Sequence, residues 1–412
     1  MSGVALAGAQ AAPAAAALKS LVTVRERCAN VAAAVGAGAS THFTIRRERL
    51  DAAAERVAAI TRERYPDLDV PGHSRWRHFE AGGVDRIKVL DRALQGAGVA
   101  DAARAQIDLA VVSVLLDAGA GPRWRYVEAD TGLAFSRSEG LAIATLRAFL
   151  AGVFSARRGE PCRVDAEALI ALDVERVARV FQASPGNPLV GLEGRVALLQ
   201  RLGHALANPA LFGYAARPGV LFDVLTREGE QEAVRAADIV AELLDRLGPV
   251  WLANRTLDGV LLGDTWPHPH AGGKGPTAGL VPFHKLTQWL AYSLFEPFQS
   301  AGVPVLEPDA LTALPEYRNG GLLIDTGVLA LRDPAAMTRA HPVGSELVVE
   351  WRALTVALID ELAPRVRAVL GLPRLPLAAI LEGGTWAAGR RLAEALRAGA
   401  PPLAIESDGT VF

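Results

Sequence analysis

The stretch SELVVEWRALTVALIDELAPRVRAVL, residues 345–370, is the longest run of helical period in the chain. Its apolar residues recur at spacings of three and four, which is the pattern of a helix that buries one face. Glu350 and Arg352 enter this apolar run, and charges in such places usually serve helix ends or buried pairs. The stretch therefore predicts a long helix in the interior of a helical protein.

The same period extends over most of the chain. It predicts further helices at residues 14–35, 50–65, 84–97, 102–116, 138–154, 165–181, 192–206, 230–247, 283–301 and 377–398. Strand signals are few: residues 124–128 and 134–136 flank Asp130-Thr131-Gly132, which is good hairpin chemistry, and residues 259–262 form a second short candidate. Strands and helices do not alternate, and no phosphate-binding glycine motif occurs, which argues against a doubly wound nucleotide fold. We predict a mainly α protein with one or two short hairpins.

No internal repeat and no long linker divides the 412 residues. We expect a single integrated helical domain over residues 1–412, with a possible subdivision into residues 1–185 and a catalytic part at 186–412. The first eighteen residues are rich in alanine and lack a basic leader, so they are interpreted as the lead-in to a helix. No run approaches the roughly 18 apolar residues that span a bilayer, so no membrane segment is predicted.

Composition restricts the partners. A formal net charge of −2 gives no global electrostatic footprint for nucleic acid or for acidic membranes, and neither is expected as a partner. Cysteine is confined to Cys28 and Cys162, which form neither a disulfide framework nor a zinc site. A reducing compartment fits this cysteine usage, and we predict a cytoplasmic protein.

The stretch PGHSRWRHFEAGG, residues 71–83, combines arginines, histidines and glycines. Arginine offers forked donors for paired oxygens, and glycines let backbone N–H groups approach a ligand. The alternative is an exposed basic loop. His73, Arg75, Trp76 and Arg77 are the substrate-binding candidates from this stretch.

The stretch GDTWPHPH, residues 263–270, leads into PFHKLTQW, residues 282–289. His268 and His270 at a spacing of two can ligate a metal, but the flanking prolines favour a surface loop and no H-E-x-x-H pattern occurs. We therefore predict neither a metal ligand nor a cofactor. Lys285 and Gln288 lie one helical turn apart and can face one ligand. The substrate-binding candidates here are Asp264, His284, Lys285, Gln288 and Trp289.

The stretch LPEYRNGGLLIDTGVL, residues 314–329, places Glu316 and Asp325 around a glycine-rich turn, with Arg318 between them. A carboxylate beside a buried arginine stays ionised and can orient or deprotonate water, so these three are the catalytic candidates. The alternative is a structural Glu–Arg pair that closes a turn. Tyr317 and Asn319 are added as binding candidates, together with Glu382 of EGGTW, residues 382–386, which is either a helix cap or a hydroxyl-binding carboxylate.

Four of these motifs together resemble a known family. HSRWRHF at 73–79, PFHKLTQWL at 282–290, PEYRNGG at 315–321 and EGGTW at 382–386 look like hallmarks of the uracil-catabolism family typified by fungal uracil-regulated proteins. The resemblance runs over nearly the whole chain. It implies a role in a route that converts uracil to its nucleotide, opens the ring and releases urea.

A second, more distant resemblance concerns the reaction. Residues 317–329, WRALTV at 351–356 and HKLTQ at 284–288 are similar in spacing to motifs of the queuosine-salvage N-glycosidases. Those enzymes are helical, related in architecture to DNA glycosylases, and cleave a ribosyl N-glycosidic bond. Their motif aspartate corresponds to Glu316, and their Val-Pro-Gln turn is Asn319-Gly320-Gly321 here.

The two resemblances together imply hydrolysis of the N-glycosidic bond of a ring-opened uracil nucleotide such as ribosylurea phosphate. Glu316 would stabilise the oxocarbenium-like transition state, with Asp325 as second choice and Arg318 as its support. His73, Arg75, Arg77 and Lys285 would bind a phosphate. Two alternatives stay open: a metal-assisted hydrolase that attacks a ureido amide, and a non-catalytic binder of a pathway intermediate.

Overall fold

The computed structural model describes residues 13–117, 119–251 and 255–406. Helices dominate and the strands between them are short, which confirms the predicted mainly α class. Part of the expected lead-in, residues 1–12, lies outside the described residues. Buried apolar side chains from Leu21 to Leu403 form one large cluster. The division of residues 1–412 into domains stays a prediction.

The helices carry their own labels in chain order. They are α1 Leu21–Gly36, α2 Leu50–Arg64, α3 Trp76–Phe79, α4 Ile87–Ala93, α5 Val99–Leu115, α6 Arg137–Leu150, α7 Ala166–Ile170, α8 Val174–Val180, α9 Leu192–Leu206, α10 Pro209–Phe212, α11 Val220–Thr226, α12 Ala236–Arg246, α13 Lys285–Ser300, α14 Tyr317–Asp325, α15 Glu346–Leu370, α16 Leu377–Ile380 and α17 Trp386–Arg397. A π-helical turn, Leu381–Thr385, joins α16 to α17.

The strands form two-stranded sheets that brace the connections between helices. The antiparallel pairs are β1 Phe43–Ile45 with β10 Leu329–Leu331, β2 Tyr126–Val127 with β3 Ala134–Phe135, β5 Thr256–Leu257 with β6 Val260–Leu261, and β7 Thr265–Pro267 with β8 Leu280–Pro282; the parallel pairs are β4 Val234–Arg235 with β9 Val305–Leu306 and β11 Ala340–Pro342 with β12 Ala404–Glu406. The β2–β3 pair is the predicted hairpin around Asp130-Thr131-Gly132. The candidate strand at 259–262 is half of the β5–β6 pair.

Helix α15 is the central helix of the molecule. It packs against α1 and α2, and apolar side chains from Leu347 to Leu370 are buried along it. The predicted helix at 345–370 therefore forms, with Ser345 just before its first residue. The two charged residues in the first turns of this helix, Glu350 and Arg352, are also buried.

Helices α14 and α17 approach each other unusually closely. A Cβ at Gly389 of α17 would lie 2.0 Å from the carbonyl oxygen of Arg318 in α14, and one at Gly320 would lie 2.7 Å from the Trp351 ring on α15. Only glycine fits at such distances, so these two positions fix how α14 sits between its neighbours. This packing holds the residues of the predicted catalytic motif against the EGGTW segment.

Several predicted helices are shorter or interrupted. The stretch 165–181 forms two helices because Asp173 caps a new one, accepting a hydrogen bond from the backbone N–H of Arg176 at 2.7 Å. The stretch 230–247 becomes helical only at Ala236, since Val234–Arg235 pairs as a strand. The stretch 377–398 contains the π turn. Among the described residues, no helix is long and apolar enough to cross a membrane.

Candidate active site

Glu316 stands at the N-cap of α14. Its two carboxylate oxygens accept hydrogen bonds from the backbone N–H groups of Arg318 and Asn319, both at 2.6 Å. These N–H groups have no partner within the helix, and the positive end of the helix dipole favours a negative charge there. The side chain is 9% exposed. The helix end therefore holds the carboxylate of Glu316 in one fixed orientation.

Opposite charges surround this buried carboxylate. Burial raises the pKa of Glu316, while the two backbone N–H groups and the charges of Lys285 and Arg318 act in the opposite direction. Lys285 is the first residue of α13, and burial lowers the pKa of its ammonium, against the influence of Glu316. Within the described part of the chain, no hydrogen bond or ion pair engages that ammonium. A polar ligand beside Glu316 would therefore meet a cation with free donors.

A second buried carboxylate lies in the π turn. Glu382 Oε2 is 2.6 Å from His73 Nδ1, and its Oε1 accepts hydrogen bonds from Arg64 at 2.8 Å and Tyr65 at 3.3 Å. Burial alone would raise its pKa, but the hydrogen bond and charge of His73 and the charge of Arg64 outweigh burial and lower the pKa of Glu382 to about 2. Such π turns recur at functional sites. Glu382 is thus ionised and orients the His73 ring.

Two tryptophans enclose the histidines of the first motif. The His73 ring centroid is 4.6 Å from that of Trp289 and 5.9 Å from that of Trp386. The His78 ring lies edge-on to the same two indoles, at 6.0 and 6.4 Å. Burial, assisted by the charge of Arg75, lowers the pKa of His78 to about 4, so this ring is neutral near pH 7. The group forms an aromatic wall beside α17.

A cleft of about 650 Å³ includes Trp386 in its lining. Volumes of this order suit small-molecule ligands. It is lined by Arg64, Pro122, Arg125, Ser136, Arg137, Trp386, Ala387, Arg390, Arg391 and Glu394. We call it the Trp386 cleft. Its lining carries five arginines and one glutamate.

The arginines of the Trp386 cleft differ in their partners. Arg390 pairs with Glu139 at 2.7 Å and Arg391 with Glu63 at 2.5 Å. Arg125 donates only to backbone carbonyls, those of Pro122 and Trp124, and Arg137 makes no hydrogen bond or ion pair within the described ranges. Arg137 is exposed and has a left-handed φ of 54°, which is strained for a residue with a side chain. The cleft therefore keeps cationic donors that an anion can bind.

The structure uses Arg75, Trp76 and Arg77 to anchor their own loop. Arg75 is fully buried and pairs with Asp117 at 2.9 Å. The indole N–H of Trp76 donates to the Ser293 carbonyl at 2.8 Å. Arg77 pairs with Glu296 at 2.5 Å and with Glu80 at 2.9 Å. Their predicted contact with a ligand stays a prediction, and both arginines already face carboxylates.

Asp264, His284 and Gln288 shape the start of α13. Asp264 accepts two hydrogen bonds from Arg352, at 2.9 and 2.6 Å, and one from the backbone N–H of Lys285 at 3.1 Å. His284 Nε2 is 2.8 Å from the Leu18 carbonyl. The Gln288 amide bonds with Thr312 on both sides. These predicted binding residues are engaged in buried networks that present Lys285.

The remaining candidates divide along α14. The guanidinium of Arg318 donates to the Gly399 carbonyl at 3.2 Å and lies over the Tyr317 ring, so it is the backbone N–H of Arg318 that holds Glu316. Asn319 Oδ1 accepts from Thr385 at 2.8 Å, which ties α14 to the π turn. Asp325 pairs with Arg397 at 2.6 Å at the far end of the helix. Nine helical residues span about 13 Å, so Asp325 does not sit beside Glu316 as a second carboxylate.

Sequence reasoning did not select Asp117, Glu139 or Arg390. Burial raises the pKa of Asp117, but the charges of Arg75 and His78 outweigh it and the net pKa is lowered. Asp117 also interacts electrostatically with Lys285 and Tyr317. None of these residues belongs to one of the motifs that the sequence singled out. Only the interruption of an apolar run at Asp117 offered a signal in the sequence.

Similar proteins were identified by comparison. Residues 17–412 match the family described as "Protein of unknown function (DUF1688)". "Uracil catabolism protein 4" of Lachancea kluyveri is 39% identical over 430 residues, which cover 96% of this chain and 98% of that protein. "Protein urg3" of Schizosaccharomyces pombe is 41% identical over 354 residues, 83% of this chain and 84% of that protein.

Proposed function

This chain belongs to the DUF1688 family, and from that premise we propose that it acts in uracil catabolism as a hydrolase of a ribosyl N-glycosidic bond. The substrate we propose is a ring-opened uracil nucleotide such as ribosylurea phosphate. The name of the Lachancea kluyveri relative supports the pathway, and its identity extends over nearly the full length of both chains. The reaction is supported by the arrangement around Glu316.

The observation that carries the reaction is the fixed, buried carboxylate of Glu316, which interacts electrostatically with the free ammonium of Lys285. Cleavage of an N-glycosidic bond passes through an oxocarbenium-like state with positive charge near C1. A carboxylate that is already oriented stabilises this charge without reorganisation during the reaction. The two backbone N–H groups at 2.6 Å supply that orientation. Glu316 also accepts a proton from the attacking water.

The proton balance needs one donor as well. Water adds to C1 as the bond from C1 to the ureido nitrogen breaks, and that nitrogen gains a proton as urea leaves. We assign this proton to Lys285, because burial lowers the pKa of its ammonium and Glu316 interacts with it electrostatically. Glu316 takes the proton that the water loses. The pair is then restored by transfer through solvent.

The phosphate end of the substrate fits the Trp386 cleft. Arg137 and Arg125 form no ion pair there among the described residues, whereas Arg75 and Arg77 of the first motif already do. Tyr317 interacts electrostatically with both Arg137 of the cleft and Glu316. We therefore place the sugar along Tyr317 and Trp386, with the phosphate toward Arg137.

The test incubates purified protein with ribosylurea phosphate and measures free urea and ribose 5-phosphate. We expect equal amounts of both products. Glu316→Gln should lower the rate by about 10²- to 10⁴-fold, as expected for loss of a general base. Asp325→Asn is the matched control, since it alters a carboxylate of the same helix and should retain most of the rate.

Three outcomes would overturn the proposal. A folded Glu316→Gln protein that turns over at the wild-type rate removes that carboxylate from the mechanism. Tight binding of ribosylurea phosphate without urea release identifies a binder of the intermediate. Ammonia release from the ureido group without free ribose 5-phosphate identifies an amidohydrolase.

A further inference from the structure

A second cluster of polar side chains lies apart from the Glu316 site, at the start of α15. Glu346 and Glu350 stand one helical turn apart on this helix, and His268 follows β7 in sequence. One ligand atom from each of the three lies within 4.8 Å of the others. The spacing of His268 and His270 in the sequence did not reveal this grouping, because the two carboxylates come from a helix that lies far along the chain.

Two of these side chains are buried without a complete set of partners. His268 is 2% exposed and Glu350 is fully buried. His268 Nε2 lies 3.3 Å from Glu350 Oε2, yet neither atom makes a hydrogen bond with any described residue. A buried carboxylate oxygen without a donor is costly. The spacing matches a shared cation, because two ligands about 2.0–2.1 Å from a tetrahedral ion are about 3.3 Å apart.

The surroundings orient these groups. The Ser40 hydroxyl donates to Glu350 Oε1, and the backbone N–H of His270 lies 3.2 Å from His268 Nδ1. In the free ring Nδ1 accepts this long hydrogen bond, which favours the ring proton on Nε2. A cation bound at Nε2 would move that proton to Nδ1, and the contact with the His270 N–H would be lost. His42 Nε2 lies 3.5 Å from Glu346 Oε1.

A cleft of about 230 Å³ adjoins the cluster and includes Glu346 and His42 in its lining. It leaves Glu346, the exposed member, open to solvent. Water can therefore reach the cluster from this side and complete a coordination shell that three protein ligands leave open.

We propose that His268, Glu346 and Glu350 bind one divalent transition-metal ion of the zinc class. One imidazole with two carboxylates suits Zn²⁺ or Mn²⁺ better than Mg²⁺, which prefers oxygen ligands and retains several waters. The ion joins the loop after β7 to the first turn of α15, and His42 borders it from the segment before β1. This site is independent of the glycosidase proposal, because the mechanism at Glu316 uses none of its residues.

The test strips the full-length protein with a chelator, dialyses it, and titrates Zn²⁺ by calorimetry, with elemental analysis for stoichiometry. The wild type should bind one equivalent and unfold at a higher temperature with Zn²⁺. Glu346→Gln changes an exposed residue, so this variant should fold normally and bind Zn²⁺ at least about tenfold more weakly. Glu350→Gln should weaken binding further.

The control is His204→Gln, which removes an exposed histidine at the end of α9. It should bind Zn²⁺ as the wild type does. Equal zinc affinity for wild type and Glu346→Gln would overturn the site, and so would a wild type that retains no Zn²⁺ in either measurement. In the second case His268 and Glu350 form only an ion pair.

Discussion

Among the described residues, two glutamate–histidine pairs are buried, and they differ in how many of their polar atoms have hydrogen-bond partners. In the first, Glu382 Oε2 is 2.6 Å from His73, and Arg64 and Tyr65 bond with the other oxygen. In the second, Glu350 Oε2 is 3.3 Å from His268 and lacks a hydrogen bond within the described residues. The residue types are the same, but only in the first pair do both carboxylate oxygens have hydrogen-bond partners among the described residues.

The difference shows that composition does not decide what a buried carboxylate does. At Glu382 the donors outweigh burial and lower its pKa to about 2, so the charge is retained and orients the His73 ring of the candidate site. At Glu350 one oxygen still has room for a positive partner. The first pair is complete without a ligand, whereas the second would be completed by the cation that we propose.

The largest expected contrast is in stability. In chelator-treated protein, Glu382→Gln should lower the free energy of unfolding by about 3 kcal/mol, because it leaves His73 and Arg64 facing a neutral amide in a buried site. Glu350→Gln should change it by less than about 1 kcal/mol, since the 3.3 Å contact with His268 includes no hydrogen bond and the amide oxygen can still accept from Ser40. Urea unfolding of both variants measures the two values. Equal losses would show that the two pairs are equivalent.

The next largest effect is the loss of the first pair's contribution to the free energy of unfolding in acid. The pKa of Glu382 is about 2 in the folded protein against an ordinary value of 4.5, so its stabilisation is complete above pH 4.5 and is lost as the pH falls toward 2. The linked loss is about 3 kcal/mol over that range. Unfolding free energies of wild type and Glu382→Gln should converge as the pH is lowered. Parallel curves would contradict the assignment.

A smaller effect is expected in the Trp386 cleft. Arg137→Ala should raise KM for the phosphorylated substrate about 10-fold with little change in kcat, because one charge-assisted hydrogen bond is lost. Arg391→Ala is the matched control, since Arg391 pairs with Glu63 on the surface. Steady-state kinetics with both variants checks this. A similar KM for the two variants would contradict the proposed contact between Arg137 and the substrate phosphate.

The smallest expected effect separates the two regions. Chelation should lower the unfolding temperature through the His268 cluster and leave the rate of urea release unchanged within about twofold, because Glu316 and Lys285 need no ion. The measurement compares turnover before and after removal of the metal. Loss of turnover that Zn²⁺ restores would make the second region part of the chemistry and favour the amidohydrolase.

Helical period predicted the large elements of the fold well. The stretch at 192–206 forms a helix with the same bounds, and the stretch at 345–370 forms the central helix. It could not predict the π turn, which depends on contacts between helices. A Cβ at Gly384 would lie 2.3 Å from the Val57 side chain of α2. The turn therefore depends on its packing against α2, which the local sequence period does not contain.

The candidate site was predicted where it depends on motifs. Glu316, Lys285, His73, Trp289 and Glu382 all lie in stretches that the sequence singled out. Their partners were not predictable in the same way: Asp117 and Glu139 reach the site only because α5 and α6 pack there. The distance between Glu316 and Asp325 was equally hard to predict, because the helical rise places the two ends of α14 apart although they are close in sequence. The catalytic role of Asp325 stays a prediction.

The close approach of Gly389 to the carbonyl of Arg318 has a consequence for how a ligand gains entry. Because α14 and α17 are in contact without a gap, we expect the helix that Glu316 caps and the helix that begins at Trp386 to move as one rigid body. Movement that admits a ligand would then arise outside this helix pair, for example at Arg137 of α6, whose backbone is strained.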